Sequence, residues 1–176
     1  VPYVKGEIRP GMRILELGCG PGLFAAWVAK LCEINGIRDV EIVAGDRNPV
    51  AVINAYDNAE LNGVSAKIDF RCGDGLKVVK PGEKFDIIVW NELPLNTSIG
   101  DIVSRNIGDT EYRTQDAIMS EVGGCLKENT GYFCFVGTGD VWADWIAYWA
   151  LKYSLSSTQD KNSNNNTQNY RLSRKK

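Results

Sequence analysis

The chain has 176 residues, 44% of them apolar and 24% charged, with a formal net charge of −2, which suits one globular domain large enough to bury a substantial core. Five basic and no acidic residues fall in 161–176, so an acidic body ends in a short basic tail; that balance argues against a dedicated nucleic-acid clamp. Histidine is absent, which excludes Ser-His-Asp hydrolysis, Cys-His chemistry and histidine-based metal centres.

Five cysteines, at 19, 32, 72, 125 and 134, are widely spaced, odd in number and free of any C-x-x-C pair. This argues against a disulfide framework or a structural metal, and for a reducing, cytoplasmic setting. No apolar run approaches the roughly 20 residues needed to span a bilayer, and no basic-then-apolar leader opens the chain, so no membrane association is expected. The chain opens on Val1, not methionine, as expected where an N-terminal piece has been cut away.

In chain order, "MRILEL" is a short apolar run bounded by Pro10-Gly11 and by glycines, as a buried strand should be. Leu23, Phe24, Trp27, Val28 and Leu31 follow at helical spacing, and Gly36 ends that helix. "VEIVAGD" is a second strand. Asn48 is placed to cap the next helix, with Pro49 at its first position and a stripe of Val52, Ala55, Tyr56 and Ala59. "AKIDFRCGD" reads as a third strand, followed by a short amphipathic piece and the Pro81-Gly82 turn. "FDIIVWN" is β-branched, apolar and continuous, as central parallel strands are.

A polar loop over about 96–110 precedes a helix from about Glu111 to Leu126, the strand "GYFCFVG", and a tryptophan-rich helix from Asp140 to Leu151. Trp142, Trp145 and Trp149 form a stripe that suits core or interface better than a substrate platform. The end, "KYSLSSTQ" and "NYRLSRK", reads as an antiparallel hairpin with a flexible loop over 158–169, or as a disordered tail. Five strand–helix units and a hairpin predict one domain over 1–176, an open, mostly parallel α/β sheet wound with helices on both faces.

The first strand runs into "ELGCGPG". Glycines let a backbone approach a ligand closely, and the amides opening the following helix supply donors. A dinucleotide turn wants G-x-G-x-x-G with an acid about 20 residues on. Here Gly18, Gly20 and Gly22 give G-x-G-x-G, and the acid ending the second strand, Asp46, stands 28 residues after Gly18. Both details disfavour a nicotinamide cofactor.

An E/D-x-G-x-G-x-G turn followed by an acid at the end of strand two resembles the cofactor signature of class I S-adenosylmethionine (SAM)-dependent methyltransferases. Glu16, Gly18, Cys19, Gly20 and Gly22 match the first motif and Asp46 the second. Cys72-Gly73-Asp74-Gly75 resembles the third, and "DIIVWN" stands where the fourth lies. The likeness runs over nearly the whole chain and implies a seven-stranded, doubly wound sheet ending in an antiparallel hairpin, with SAM as cofactor. It implies that Asp46 binds the ribose hydroxyls, that Arg47 or Asn48 lies against the adenine, and that Asp74, beside Gly75, meets its amino group. Glu16 would order the turn or meet the amino group of the methionine portion. The residues alone also allow Asp46 to cap a helix and Asp74 to serve as a turn residue.

Many relatives that methylate amino or amide nitrogens carry N-P-P-Y/F after strand four; this chain has Asn91-Glu92-Leu93-Pro94-Leu95. Asn91 and Pro94 fit an acceptor site for a nitrogen of a protein or RNA, with Asn91 also beside the cofactor. The stacking aromatic is missing, with Trp90 adjacent. The same segment is similar to that of protein arginine methyltransferases, where Glu92 would bind a guanidinium together with Asp101, Asp109 or Glu111. A third reading is a silent methyltransferase-like subunit that binds SAM and scaffolds a partner.

Overall fold

The computed structural model describes residue 4 and residues 6–91, 113–138, 142–159 and 167–175. Its elements, in chain order, are β1 (Arg13–Leu17), α1 (Leu23–Asn35), β2 (Glu41–Asp46), α2 (Pro49–Leu61), β3 (Ile68–Cys72), β4 (Ile87–Asn91), α3 (Arg113–Cys125), β5 (Tyr132–Thr138), α4 (Trp142–Lys152), β6 (Leu155–Gln159) and β7 (Thr167–Arg174). The strands form one sheet in the order β3-β2-β1-β4-β5-β7-β6. β1 to β5 are parallel, while β7 runs antiparallel to both β5 and β6. This is the predicted doubly wound sheet with its terminal hairpin.

The local signals act as their chemistry requires. Gly22 and Gly36 bracket α1 in the left-handed region, at φ 71° and 64°. The Ile37 amide then bonds the Cys32 carbonyl at 2.9 Å, closing the helix end as a glycine C-cap does. The Asn48 side chain accepts from the Val50 amide at the head of α2. Strand three is shorter than "AKIDFRCGD" suggests: Ser65–Lys67 form a 3-10 turn, and Gly75–Val78 form another after the strand. β6 reaches Gln159 and β7 begins at Thr167, so both strands cut into the expected 158–169 loop; residues 160–166 lie outside the described ones.

Alternation along the strands divides the core in two. Ile14, Ile42, Ala44, Ile87, Val89 and Cys134 pack beneath α1 and α2. Leu15, Leu17, Val43, Ile88, Trp90, Phe133 and Phe135 face α3 and α4. Trp142 and Trp149 are fully buried there, whereas Trp145 is only partly covered and leans on Trp149 at a ring separation of 5.3 Å. The tryptophan stripe is therefore mainly core. All five cysteines are free; Cys19, Cys32 and Cys134 are buried and Cys72 is exposed.

The foot of the sheet is held by ion pairs. Arg71 grips Glu83 with both terminal nitrogens, at 2.6 and 2.9 Å, and also reaches Asp69. Arg13 adds a third contact to Glu83 at 2.9 Å, while its own amide bonds Asp86. The Arg71 guanidinium, with Arg13 and the Lys80 amide, holds the Glu83 carboxyl down at about 2. A carboxylate below its unfolded value of 4.5 stabilises the fold above that pH and loses the effect as pH falls toward 2. Glu83→Gln is expected to flatten the loss of stability between pH 4.5 and 2, measured as the urea midpoint at several pH values.

α2 sits hard against the first turn: a Cβ on Gly22 would lie 2.7 Å from the Ala55 Cβ. Gly22→Ala should therefore cost about 2–4 kcal/mol, from positive φ and overpacking together, read by denaturant unfolding.

Candidate functional site

Strand order reverses at β1 and β4, so the chain leaves these neighbours on opposite faces and opens a crevice beyond their carboxyl ends. The glycine turn after β1 lies at that point. Gly18, Gly20 and Gly22 all have positive φ, at 60°, 49° and 71°. Their surroundings differ. Gly18 is pressed against the Trp90 indole, whose Nε1 would be 3.3 Å from an added Cβ, and Gly22 is pressed against α2. A Cβ on Gly20 would meet nothing within 4 Å. Gly22 is buried, whereas Gly18 is exposed and Gly20 half-buried, so these two keep backbone open to the crevice.

Asp46, ending β2, faces this turn. Its Oδ2 accepts from the Gly20 amide at 2.9 Å and its Oδ1 from the Asn48 amide at 2.8 Å. Two backbone donors aim the carboxylate, and each oxygen keeps a second lone pair for a ligand hydroxyl. Asp46 does not cap α2, because the Asn48 side chain does so. That contact commits the Asn48 oxygen; Arg47 and Asn48 are both half-buried.

Glu16 is buried, and its Oε2 accepts from the Ala25 amide at 3.0 Å in the first turn of α1. It thus ties the end of β1 to the start of the following helix. Burial, reinforced by the nearby Asp46 charge and opposed by the helix amides, pushes its carboxyl up to about 8. Cys19 contributes backbone rather than thiol: its amide bonds the Gly45 carbonyl at 3.0 Å, and its side chain is buried in the core beneath α1. Burial also pushes that thiol well above its ordinary value.

On the other flank, the Gly73 amide bonds the Asp46 carbonyl at 2.9 Å, joining the third motif to the second. Asp74 is exposed and makes no side-chain cap to the turn that it opens; only its carbonyl is used, by Lys77. Gly75, at φ 54°, lies beneath α3, where a Cβ would stand 3.3 Å from Ile118 Cγ1. On the same helix Gln115 is wholly buried, and among the described residues neither of its side-chain polar atoms has a hydrogen-bond partner.

Asn91 ends β4 and is exposed. Trp90 is not available beside it as a stacking surface: it is 3% exposed, edge-on to Phe135 and under Gly18. Alternation turns Trp90 toward α3 and α4 and Asn91 toward the opposite face. Glu92, Pro94, Asp101, Asp109 and Glu111 lie outside the described residues. Among the described residues no three metal-ligating side chains gather, and no helix is long and apolar enough to cross a membrane.

A family model described as a methyltransferase domain matches residues 8–170. Ribosomal protein L11 methyltransferase of Burkholderia cenocepacia is 33% identical over 150 residues, covering 77% of this chain and 46% of the relative, so the chain spans about half the length of that protein. The crystal structure of the ribosomal protein L11 methylase of Lactobacillus delbrueckii subsp. bulgaricus superposes with a TM-score of 0.71 at 19% identity, over 98% of this chain and 74% of that one. TrmK of M. capricolum, solved with S-adenosyl-homocysteine, superposes at 0.65 with 15% identity, over 97% and 66%. These two likenesses are of fold. With the glycine turn, the aimed Asp46 carboxylate and the strand-order reversal in place, the chain belongs to the class I SAM-dependent methyltransferase family.

Proposed function

We propose that this domain transfers a methyl group from SAM to a nitrogen of a protein acceptor. The observation that carries the cofactor half is the Asp46 carboxylate, aimed by the Gly20 and Asn48 amides beside the open face of Gly20. Asp46 would hold the ribose hydroxyls, the backbone of Gly18, Cys19 and Gly20 would line the methionine portion, and Arg47, Asp74 and Gly75 would flank the adenine. SAM supplies an electrophilic methyl on a sulfonium, whose thioether leaves without a proton. The protein's part is alignment and exclusion of water, which explains why a chain without histidine can serve.

The acceptor half rests on Asn91. Its side-chain oxygen would accept from the N–H of the acceptor and turn the nitrogen lone pair toward the methyl carbon; Glu92 and Pro94 would complete that site. Burial of Trp90 supports a protein acceptor over a nucleobase, since it removes the adjacent aromatic that a planar base would stack on. The relatives named for ribosomal protein L11 point the same way. Unpaired cysteines support a cytoplasmic setting.

Calorimetric titration with S-adenosylhomocysteine should show one binding site. Asp46→Ala should weaken it at least tenfold, in keeping with about 1.5–3 kcal/mol for hydrogen bonds to a charged group. Labelled SAM incubated with fractionated cell extract should then pass label to protease-sensitive material; nuclease-sensitive label would favour RNA. Binding without any transfer would favour the silent, scaffolding subunit.

Glu16 is assigned the ordering of the turn. Its folded value of about 8 lies above the unfolded 4.5, so its contribution to stability is fully present below pH 4.5 and is lost as pH rises through 8. Glu16→Gln should keep the fold and remove that component of the slope between pH 4.5 and 8, followed as melting temperature against pH.

A further inference from the structure

The turn that carries α3 into β5 folds back on the end of β7, at the foot of the sheet. The Phe85 amide bonds the Cys125 carbonyl at 2.9 Å, the Lys127 amide returns to the Phe85 carbonyl at 2.9 Å, and the Gly131 amide bonds the Lys127 carbonyl at 3.0 Å. Gly131 has no room for a side chain, since a Cβ would stand 2.6 Å from the Lys127 nitrogen. β7 runs antiparallel to β5, with Leu172 opposite Phe133, so its last residues reach the same turn. Between the two lies a cavity of about 250 Å³, lined around Gly131 by Lys127, Glu128, Asn129, Ser173, Arg174 and Lys175. It stands at the opposite end of the strands from the glycine crevice.

Unspent hydrogen-bond donors converge on this cavity. Lys127 Nζ commits one of its three hydrogens, to Asp86 at 2.7 Å. Arg174 Nε donates to the Gly123 carbonyl at 2.5 Å, but its Nη1 stands 3.6 Å from Glu128, beyond hydrogen-bond range. The Lys175 ammonium and the Ser173 hydroxyl make no side-chain hydrogen bond among the described residues. The one carboxylate in the lining is that of Glu128, whose side chain is 81% exposed and so can turn to solvent. The ion pairs around Glu83, by contrast, use up their charges on one another. Three cations facing one recess repel each other, and an anion between them turns that cost into attraction.

We propose that this cavity is a second ligand site and that it binds a phosphate monoester. Its volume falls below the roughly 300–1,000 Å³ of pockets that enclose drug-sized ligands, which suits a small anionic group. A monoester carries a charge of about −1.5 to −2 at pH 7 and three terminal oxygens, one for each of Lys127, Arg174 and Lys175. A carboxylate offers only two oxygens, and a diester only one charge. Guanidinium and ammonium groups are the usual phosphate partners, the first through paired donors. A single recess fits an isolated phosphate, whereas a polynucleotide backbone needs a basic groove to track along. Bound there, the phosphate ties the end of β7 to the turn after α3, independently of the cofactor reading.

The test is calorimetric titration of the intact chain at neutral pH and fixed ionic strength. Inorganic phosphate and glycerol 3-phosphate should each bind at one site, and dimethyl phosphate at least tenfold more weakly. Lys175→Gln removes a side chain without a partner in the fold and should weaken glycerol 3-phosphate about threefold. Arg174→Gln combined with Lys175→Gln should weaken it at least tenfold; should that pair not fold, Lys175→Gln alone decides. The proposal is overturned if neither phosphate compound gives a saturable heat, or if the folded variants bind as wild type does. It is also overturned if a short oligoribonucleotide without a terminal phosphate binds as tightly as glycerol 3-phosphate, which would make the cavity a backbone contact.

Discussion

The turn from β1 into α1 closes against two neighbours at once, and the rest of the site depends on that closure. Trp90 rises from the adjacent strand beneath Gly18, while α2 lies beside Gly22 with Ala55 in contact distance. A side chain at Gly22 would lift α2 away, and one at Gly18 would crowd the Trp90 indole. With both positions bare, the turn sinks between β4 and α2 and exposes the Gly20 backbone. The Gly20 amide then reaches the Asp46 carboxylate at 2.9 Å. One steric constraint thus sets the distance between the first motif and the second.

Polar groups are treated oppositely at the two ends of the sheet. At the foot, Arg13 and Arg71 share Glu83, and Lys127 and the Arg13 amide share Asp86, all through short contacts. At the crevice, Asp46 is aimed but keeps spare lone pairs, and Asp74 is exposed without a capping bond. The foot stabilises the fold; the crevice withholds part of its hydrogen-bonding capacity, as a binding site must. Glu16 mediates between them: buried at the end of β1 and bonded to the head of α1, it spends its carboxyl on holding the turn. The two acids of the site are thereby separated in role by environment, one enclosed and one at the rim.

Much of this was legible because its causes are local. Asn48 followed by Pro49 starts a helix through bonds to its own neighbours, and Gly36 ends one the same way. The run "IIVW" has no polar position to turn toward water, so it reads as a central strand. Ser65–Lys67 were harder: their composition allows a strand, but β2 pairs with β3 only from Ile68 onward, leaving them to curl into a turn. The side to which Trp90 turns was not legible for a related reason. Its neighbour Asn91 is exposed, but one residue along a strand reverses the face, and the reverse face is the core under α3 and α4.

The sequence by itself carried the resemblance that implies the cofactor, through glycine spacing, the acid that ends strand two and the acid just after strand three, because each motif is a short segment whose residues lie together in the chain. It also determined the order and kind of the elements, through periodicity. Only the tertiary structure decided which glycines are packed against neighbours and which stay open, that Asp46 is aimed by two amides, and that the Glu16 carboxyl is pushed up to about 8. Each of these depends on atoms brought together from distant parts of the chain, and burial and pairing are properties of that company rather than of the residue.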